Sequence, residues 1–290
     1  MTTWDDTAGD TTEIVTGGLP AVGNYAVIGH PVAHSQSPEL HSAWFTAADL
    51  PGIYSAIDIS PQELIRRGPQ LPFQFTGINV TIPHKLAVLG YVDRVDADAD
   101  AAGAANILYR DEDKAWTAGN TDGIGFLKAM EDATGESMLG RDVAILGAGG
   151  AARAIAAAIL SMGGVNLTII NRTLPSAQDL VDELGARRAL PLQPNVFDRL
   201  PDMPDFVVNT LPPAANPAIR ALSLAPLPDQ AMLVDINYYA DSPLLSAGAA
   251  RNLVTIDGRG MFLWQAALSF QRWTGVAPDL ELGRALLGMD

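Results

Sequence analysis

Val143-Ala144-Ile145-Leu146-Gly147-Ala148-Gly149-Gly150-Ala151-Ala152-Arg153-Ala154 carries the fold class. Asp142 to Leu146 is an apolar run of strand length, and Ala151 to Met162 is an alanine-rich segment with helical character. The glycines lie between them. A strand, a Gly-x-Gly-Gly-x-Ala turn and a helix satisfy the dinucleotide fingerprint in its proper context. Gly147 permits the tight turn, Gly149 lets backbone approach a pyrophosphate, and Ala152 stands where a small residue lets helix pack on strand. The helix N-terminus adds amide donors and the positive end of its dipole. Gly147, Ala148, Gly149, Gly150 and Ala151 are therefore the candidate cofactor loop.

Moving outward, Leu167 to Ile170 reads as a second strand and Ser176 to Leu184 as a second helix. Strands follow at Phe206 to Asn209, Met232 to Ile236 and Leu253 to Ile256. Strands alternating with helices predict an open parallel sheet covered on both faces. The second strand ends in Asn171-Arg172-Thr173. NAD sites place Asp or Glu here for the ribose 2′-hydroxyl. A carboxylate would repel a 2′-phosphate, whereas arginine bonds and stacks on it. These residues favour NADP, with NAD as the weaker alternative.

The preceding residues show a second alternation. Tyr25 to Gly29 and Ile53 to Ile59 read as strands, and Glu39 to about Asp49 reads as a helix with Leu40, Trp44 and Phe45 inward. Ser37 before Pro38 and Ser60 before Pro61 both have helix N-cap chemistry. Gly77-Ile-Asn79-Val-Thr81-Ile-Pro83-His84-Lys85 reads as a buried strand stopped at the proline, with a helix beginning near His84. Asp93 to Ala102 is acidic, a short helix or loop. Ala104 to Tyr109 and Lys114 to Ala118 form a hairpin around Asp111-Glu-Asp. Helices are expected at Asp122 to about Thr134, 259 to about 274, and Leu280 to Leu287.

Only three of the 18 Lys and Arg residues are lysines, and one of them, Lys85, follows the polar exit of that strand. Arginine stays charged, while a desolvated lysine can give up its proton. Asp122 opens a predicted helix, where its residue type fits a cap.

Bulk properties narrow the rest. A chain of 290 residues accommodates two domains. A net charge of -15 lacks the clustered cations that nucleic acid or an anionic membrane requires. The absence of cysteine excludes disulfides and thiolate chemistry. The four histidines have no metal-motif partners, so no metal is expected. No apolar run reaches the length of a membrane span. The acidic N-terminus is unlike a signal peptide, which points to the cytoplasm.

Taken in order, the motifs resemble the shikimate dehydrogenase family from about residue 25 to 275. The resemblance rests on Gly29-His-Pro-Val-Ala-His-Ser35-Gln-Ser37-Pro38, Asn79-Val-Thr81-Ile-Pro-His-Lys85, Gly103-Ala-Ala-Asn106 and Gly119-Asn-Thr-Asp122-Gly-Ile-Gly-Phe126. It continues through the glycine loop with Asn171-Arg172-Thr173, then Asp235-Ile-Asn-Tyr238, and finally Asp257-Gly258-Arg-Gly-Met261 with Gln265. It implies a small anionic cyclic polyol as substrate, whose carboxylate meets Ser35 and Ser37 with Tyr238 nearby. Asn79, Thr81, Asn106 and Gln265 would meet its ring hydroxyls. Lys85 and Asp122 would be the catalytic pair, with Gly258 and Met261 beside the nicotinamide.

The resemblance also implies a division into a leader at 1–23, an α/β substrate domain at 24–122 and a Rossmann-like NADP domain at 123–258. Helices in 259–290 would return to the junction, and the chain would act as a monomer or homodimer. The sequence departs from the family pattern at Ile107, where threonine is usual, at Ser176, where a second cation is common, and at Ala240, where proline is usual. Ile107 raises quinate or an amino-analogue as the substrate. A non-catalytic ligand sensor and a tetrahydrofolate-linked dehydrogenase are the competing classes. An intact Lys85 and Asp122 speak against the first, and the serine pair against the second.

Overall fold

A computed structural model describes residues 22–289. The leader expected at 1–23 lies almost wholly outside the described residues. The first half runs β1 (Gly23–Gly29), α1 (Ser37–Ala47), β2 (Gly52–Asp58), α2 (Pro61–Arg67), α3 (Leu71–Gln74), β3 (Gly77–Val80), β4 (Arg94–Val95), α4 (Ala97–Ala102), β5 (Ile107–Arg110) and β6 (Trp116–Gly119). The second half runs α5 (Asp122–Thr134), β7 (Asp142–Leu146), α6 (Gly150–Ser161), β8 (Asn166–Asn171), α7 (Leu174–Leu184), β9 (Arg188–Pro191), β10 (Phe206–Asn209), α8 (Asn216–Arg220), β11 (Met232–Asp235), α9 (Pro243–Ala249), β12 (Val254–Ile256), α10 (Arg259–Thr274) and α11 (Leu280–Leu286).

The second sheet is wholly parallel, in the order β12-β11-β10-β7-β8-β9. Chain order reverses between β7 and β10, so the glycine loop after β7 opens at the switch point, where such sheets bind ligands. Alternate residues of β7 face opposite sides. Val143 and Ile145 meet α5, α6 and α7, while Ala144 and Leu146 meet Phe197, Ile219 and Leu244. The sequence reading missed β9. This edge strand is only half-buried and ends in Pro191, so it carries neither an apolar run nor a clean alternation. It also missed α9, capped by Ser242, whose side chain accepts from the Leu245 amide.

The first sheet is mixed, in the order β2-β1-β3-β5-β6-β4, with β3/β5 and β5/β6 antiparallel and the remaining pairs parallel. The hairpin expectation holds. Ser60 caps α2 in a full capping box with Glu63, worth about 1 kcal/mol. Two local expectations change. Ser37 is the first residue of α1 and makes no cap, because Gln36 holds the cap position without a side-chain bond. After β3 no α-helix begins at His84; a turn carries Lys85 and a 3-10 helix follows at Ala87–Tyr91.

Helix α10 packs on two partners. Phe262, Leu263, Ala266 and Phe270 join Tyr25, Val27, Leu40 and Trp44 in the core of the first sheet. Its other side lies against α5 so closely that a Cβ on Gly125 would sit 2.8 Å from the Gln265 nitrogen. The Trp44 indole donates to the Asp279 carbonyl at 2.7 Å, fixing the chain just before α11.

His41 on α1 is fully buried, and its ring stacks on Tyr54 at 4.4 Å with neither nitrogen hydrogen-bonded among the described residues. Burial lowers its pKa from 6.5 to about 3. The folded state therefore keeps it neutral while the unfolded chain protonates below about pH 6.5. Its contribution to stability is present above that value and is lost as pH falls toward about 3. At about 1.4 kcal/mol per pH unit, urea unfolding at pH 5 should show the protein about 2 kcal/mol less stable through this residue than at pH 7. His41→Leu should flatten that slope, and an unchanged slope would refute the assignment.

Candidate active site

A cavity of about 410 Å³ opens between the C-terminal edges of the two sheets. Its wall contains Ser35, Ser37, Asn79, Thr81, Lys85, Asn106, Asp122, Tyr238 and Gln265, all nine residues expected at the substrate and catalytic positions. They come from six places in the chain: the β1–α1 connection, the end of β3 and the turn after it, the entry to β5, the start of α5, the segment following β11, and α10.

At the centre, Lys85 Nζ donates to Asp122 Oδ2 at 2.5 Å, with side chains 12% and 6% exposed. Asp122 does not cap α5. Its second oxygen accepts from Asn106 Nδ2 at 2.8 Å, and its backbone amide donates to Asn120 Oδ1 at 2.9 Å. A carboxylate at a helix start is favoured by the dipole. Asn106 is locked in turn, because its Oδ1 accepts the Thr121 amide at 2.7 Å. Both oxygens of Asp122 are thus aimed before any ligand arrives, and the ammonium is held at one point on the cavity wall.

Asn79 is fixed by three elements. Its Oδ1 accepts from the Tyr54 hydroxyl at 2.7 Å, and its Nδ2 donates to Ser269 Oγ at 3.0 Å and to the Asn106 carbonyl at 3.3 Å. Burial pushes the Tyr54 phenol well above its ordinary pKa, and a hydrogen bond with Ser37 partly opposes this. Tyr238 closes this end of the cavity. Burial raises its phenol too, with the Gln36 backbone and the Ser35 hydroxyl acting in the other direction.

The cofactor candidates lie along the C-terminal edge of the second sheet. Of that set, only Ala151 and Met261 reach the cavity wall. Gly147, Ala148, Gly149 and Gly150 follow β7, while Asn171, Arg172 and Thr173 end β8 and lead out of it. Gly147 has φ +120°, which only glycine adopts readily. Nothing would lie within 4 Å of a Cβ on Gly149, so its backbone faces open space, as an approaching pyrophosphate requires. A Cβ on Gly150 would sit 2.9 Å from Lys85 Cβ, which brings the loop against Lys85. Arg172 is exposed and forms no ion pair among the described residues. This edge fits a phosphorylated dinucleotide.

Three family models match the chain in sequence: the shikimate dehydrogenase substrate binding domain over residues 27–108, shikimate / quinate 5-dehydrogenase over 129–238, and the shikimate 5'-dehydrogenase C-terminal domain over 258–287. The chain is 41% identical over 271 residues to shikimate dehydrogenase (NADP(+)) of Mesorhizobium japonicum, covering 91% of this chain and 95% of that one. The chain belongs to the shikimate dehydrogenase family. Among solved structures, that of shikimate 5-dehydrogenase from Thermus thermophilus in complex with NADP(H) and shikimate superposes with a TM-score of 0.78 at 32% identity, covering 91% of this chain and 98% of that one. The Listeria monocytogenes enzyme in complex with shikimate and NAD gives a TM-score of 0.80 at 26% identity, covering 96% and 99%.

Two of the departures from the shikimate dehydrogenase pattern can be placed. Ile107 is fully buried in β5 and is absent from the cavity wall, so the argument it offered for quinate or an amino-analogue loses its basis. Ser176 lies in α7, which leaves Arg172 the sole cation from Asn171 to Ser176. Sequence reasoning missed Tyr54, Thr121 and Ser269, which touch the site residues from behind. It also missed His34 and Tyr239, whose rings pack 4.2 Å apart at a tilt of 38° in the cavity wall. A tyrosine in a strand or a serine on a helix has no local signature. Among the described residues no cluster of three or more His, Asp or Glu side chains is arranged to hold a metal, and no helix is long and apolar enough to cross a membrane.

Proposed function

We propose that the chain is an NADP-dependent shikimate dehydrogenase in which Lys85 and Asp122 move the proton. The observation that carries this reading is the 2.5 Å Lys85–Asp122 pair, set in a cavity wall with Ser35, Ser37, Asn79, Thr81, Asn106, Tyr238 and Gln265. When bound, the dinucleotide supplies the hydride acceptor or donor. The chain's own groups do the remaining work. Ser35, Ser37 and Tyr238 take the carboxylate of the substrate, and Asn79, Thr81, Asn106 and Gln265 orient its ring hydroxyls. Lys85 as a neutral amine takes the proton from the hydroxyl being oxidised and becomes an ammonium; in reduction the ammonium gives that proton to the new alkoxide. Asp122, immobilised by Asn106, holds the ammonium at the reacting carbon. A ligand sensor would need no such pair.

The division into a substrate half at 24–122, a cofactor half at 123–258 and closing helices at 259–290 belongs to the same proposal. So does a cytoplasmic setting, which suits a dissolved dinucleotide. The test is absorbance at 340 nm with shikimate, quinate, NADP and NAD. Turnover of shikimate with NADP is expected, and its absence would defeat the reading. Arg172→Ala should raise KM for NADP at least tenfold, the effect of losing a charge-assisted bond of about 1.5–3 kcal/mol, and leave KM for NAD within about twofold. Equal changes for both cofactors would remove Arg172 from 2′-phosphate recognition.

A further inference from the structure

Asp235, the last residue of β11, is a carboxylate 1% exposed for which the proposed reaction has no use. All four of its hydrogen bonds come from neutral donors. Oδ2 accepts from Asn209 Nδ2 at 2.9 Å and Ser242 Oγ at 2.6 Å. Oδ1 accepts from the Asn237 amide at 2.9 Å and Asn237 Nδ2 at 2.7 Å. The hub extends further. Asn209 Oδ1 accepts the Leu211 amide at 3.2 Å, and Asn237 Nδ2 also donates to the Leu211 carbonyl at 2.9 Å.

Burying a charge this deeply is costly unless its acceptor sites are filled, and here they are. What the bonds join is informative. They tie the end of β10, the segment after β11 and the cap of α9 into one unit, and both connecting segments line the cavity, through Thr210 and Pro212 on one side and Tyr238 and Tyr239 on the other. Asn237 is the neighbour of Tyr238, and Tyr238 shares the cavity wall with Ser35 of the other half and feels the Ser35–Gln36 turn there.

We infer that Asp235 is a positioning residue: its hydrogen-bond hub fixes the segment 236–239 so that the Tyr238 hydroxyl stands at the carboxylate end of the substrate cavity. The inference rests on the proposed function. Only a carboxylate fills the position, since it accepts four bonds and donates none. The isosteric amide must turn an NH2 toward one pair of donors, and whichever pair it faces is broken.

The test is a double-mutant cycle of Asp235→Asn and Tyr238→Phe, with kcat and KM measured for shikimate and for NADP. Each single change should raise KM for shikimate about tenfold and alter kcat and KM for NADP by less than about threefold. In the Tyr238→Phe background, Asp235→Asn should add less than twofold, because the two act through one hydroxyl. Effects that multiply would overturn the inference, as would an equal rise in KM for NADP. Should Asp235→Asn not fold, Ser242→Ala removes one donor and keeps the charge. It should raise KM for shikimate about threefold in the wild-type background and not at all with Tyr238→Phe, and the opposite pattern would again overturn the inference. A wild-type chain that does not oxidise shikimate would defeat the proposed function together with this inference, whereas an active wild type with multiplying variants would defeat the inference alone.

Discussion

Lys85→Ala should lower turnover of shikimate at least a hundredfold while changing KM for shikimate by no more than a few-fold. The magnitude follows from what a positioned proton-transfer group contributes, about 10²- to 10⁴-fold. The geometry explains why the loss should fall on kcat. Lys85 is anchored by Asp122 at 2.5 Å, whereas in the proposed function the carboxylate and ring hydroxyls of the substrate are held by other residues of the cavity wall, Ser35, Ser37, Asn79 and Tyr238 among them. Asp122 would keep its bond from Asn106 at 2.8 Å, and the cavity admits water to the vacated side, so the fold should survive. Lys85→Arg is the sharper variant. It restores a cation beside Asp122 but not a group that releases its proton. If arginine recovered turnover, charge alone would be the function of Lys85. Unchanged turnover in the alanine variant would take Lys85 out of the mechanism altogether.

The second large effect is expected from a methyl group. Gly123→Ala would place a Cβ 2.5 Å from the Ala154 carbonyl oxygen and 2.7 Å from Ala158 Cβ, both on α6. The carbonyl is backbone inside a helix and has no rotamer with which to yield, so α5 and α6 must move apart. Overpacking of this kind costs about 1–3 kcal/mol, or roughly 2–5 °C in Tm for a chain of this size. Asp122 is the residue before Gly123, so the displacement passes directly to the carboxylate that holds Lys85. A misplacement on the order of 1 Å costs about a hundredfold in rate. Gly123→Ala should therefore lose at least tenfold in kcat at temperatures where it remains folded, as followed by circular dichroism and the 340 nm assay. Gly90→Ala is the control, because nothing lies within 4 Å of its Cβ position and its φ is not positive. Full activity in Gly123→Ala would show that α5 tolerates the wider spacing.

The sequence made the second sheet legible because each of its central strands is buried on both faces. Val143 to Leu146 and Phe206 to Asn209 are continuous apolar or small runs bounded by glycine or polar residues. The failures lie where that double burial is absent. Edge strand β9 is half-exposed and pattern-free. The helix expected at His84 was inferred from Pro83, but the chain after β3 turns toward α6, and Lys85 packs against Gly150 there instead of entering a helical turn. Among site residues, those at strand ends and loop motifs could be read from residue type and order. Tyr54, Thr121 and Ser269 could not, because their importance depends on which residues fold against them. Ser269 lies 190 positions from Asn79, the group it bonds.

The two-sided packing of α10 has a consequence for how the protein is made. The first half supplies Tyr25, Val27 and Trp44 to a core whose other wall is Phe262, Leu263 and Phe270. Trp44 emerges from the ribosome 235 residues before Asp279, the acceptor of its indole hydrogen bond. At about 5–20 residues per second, translation leaves that apolar face uncovered for roughly 10–50 s. The nascent first half cannot complete its core in isolation. During synthesis, that face of the first sheet closes only when α10 arrives to cover it.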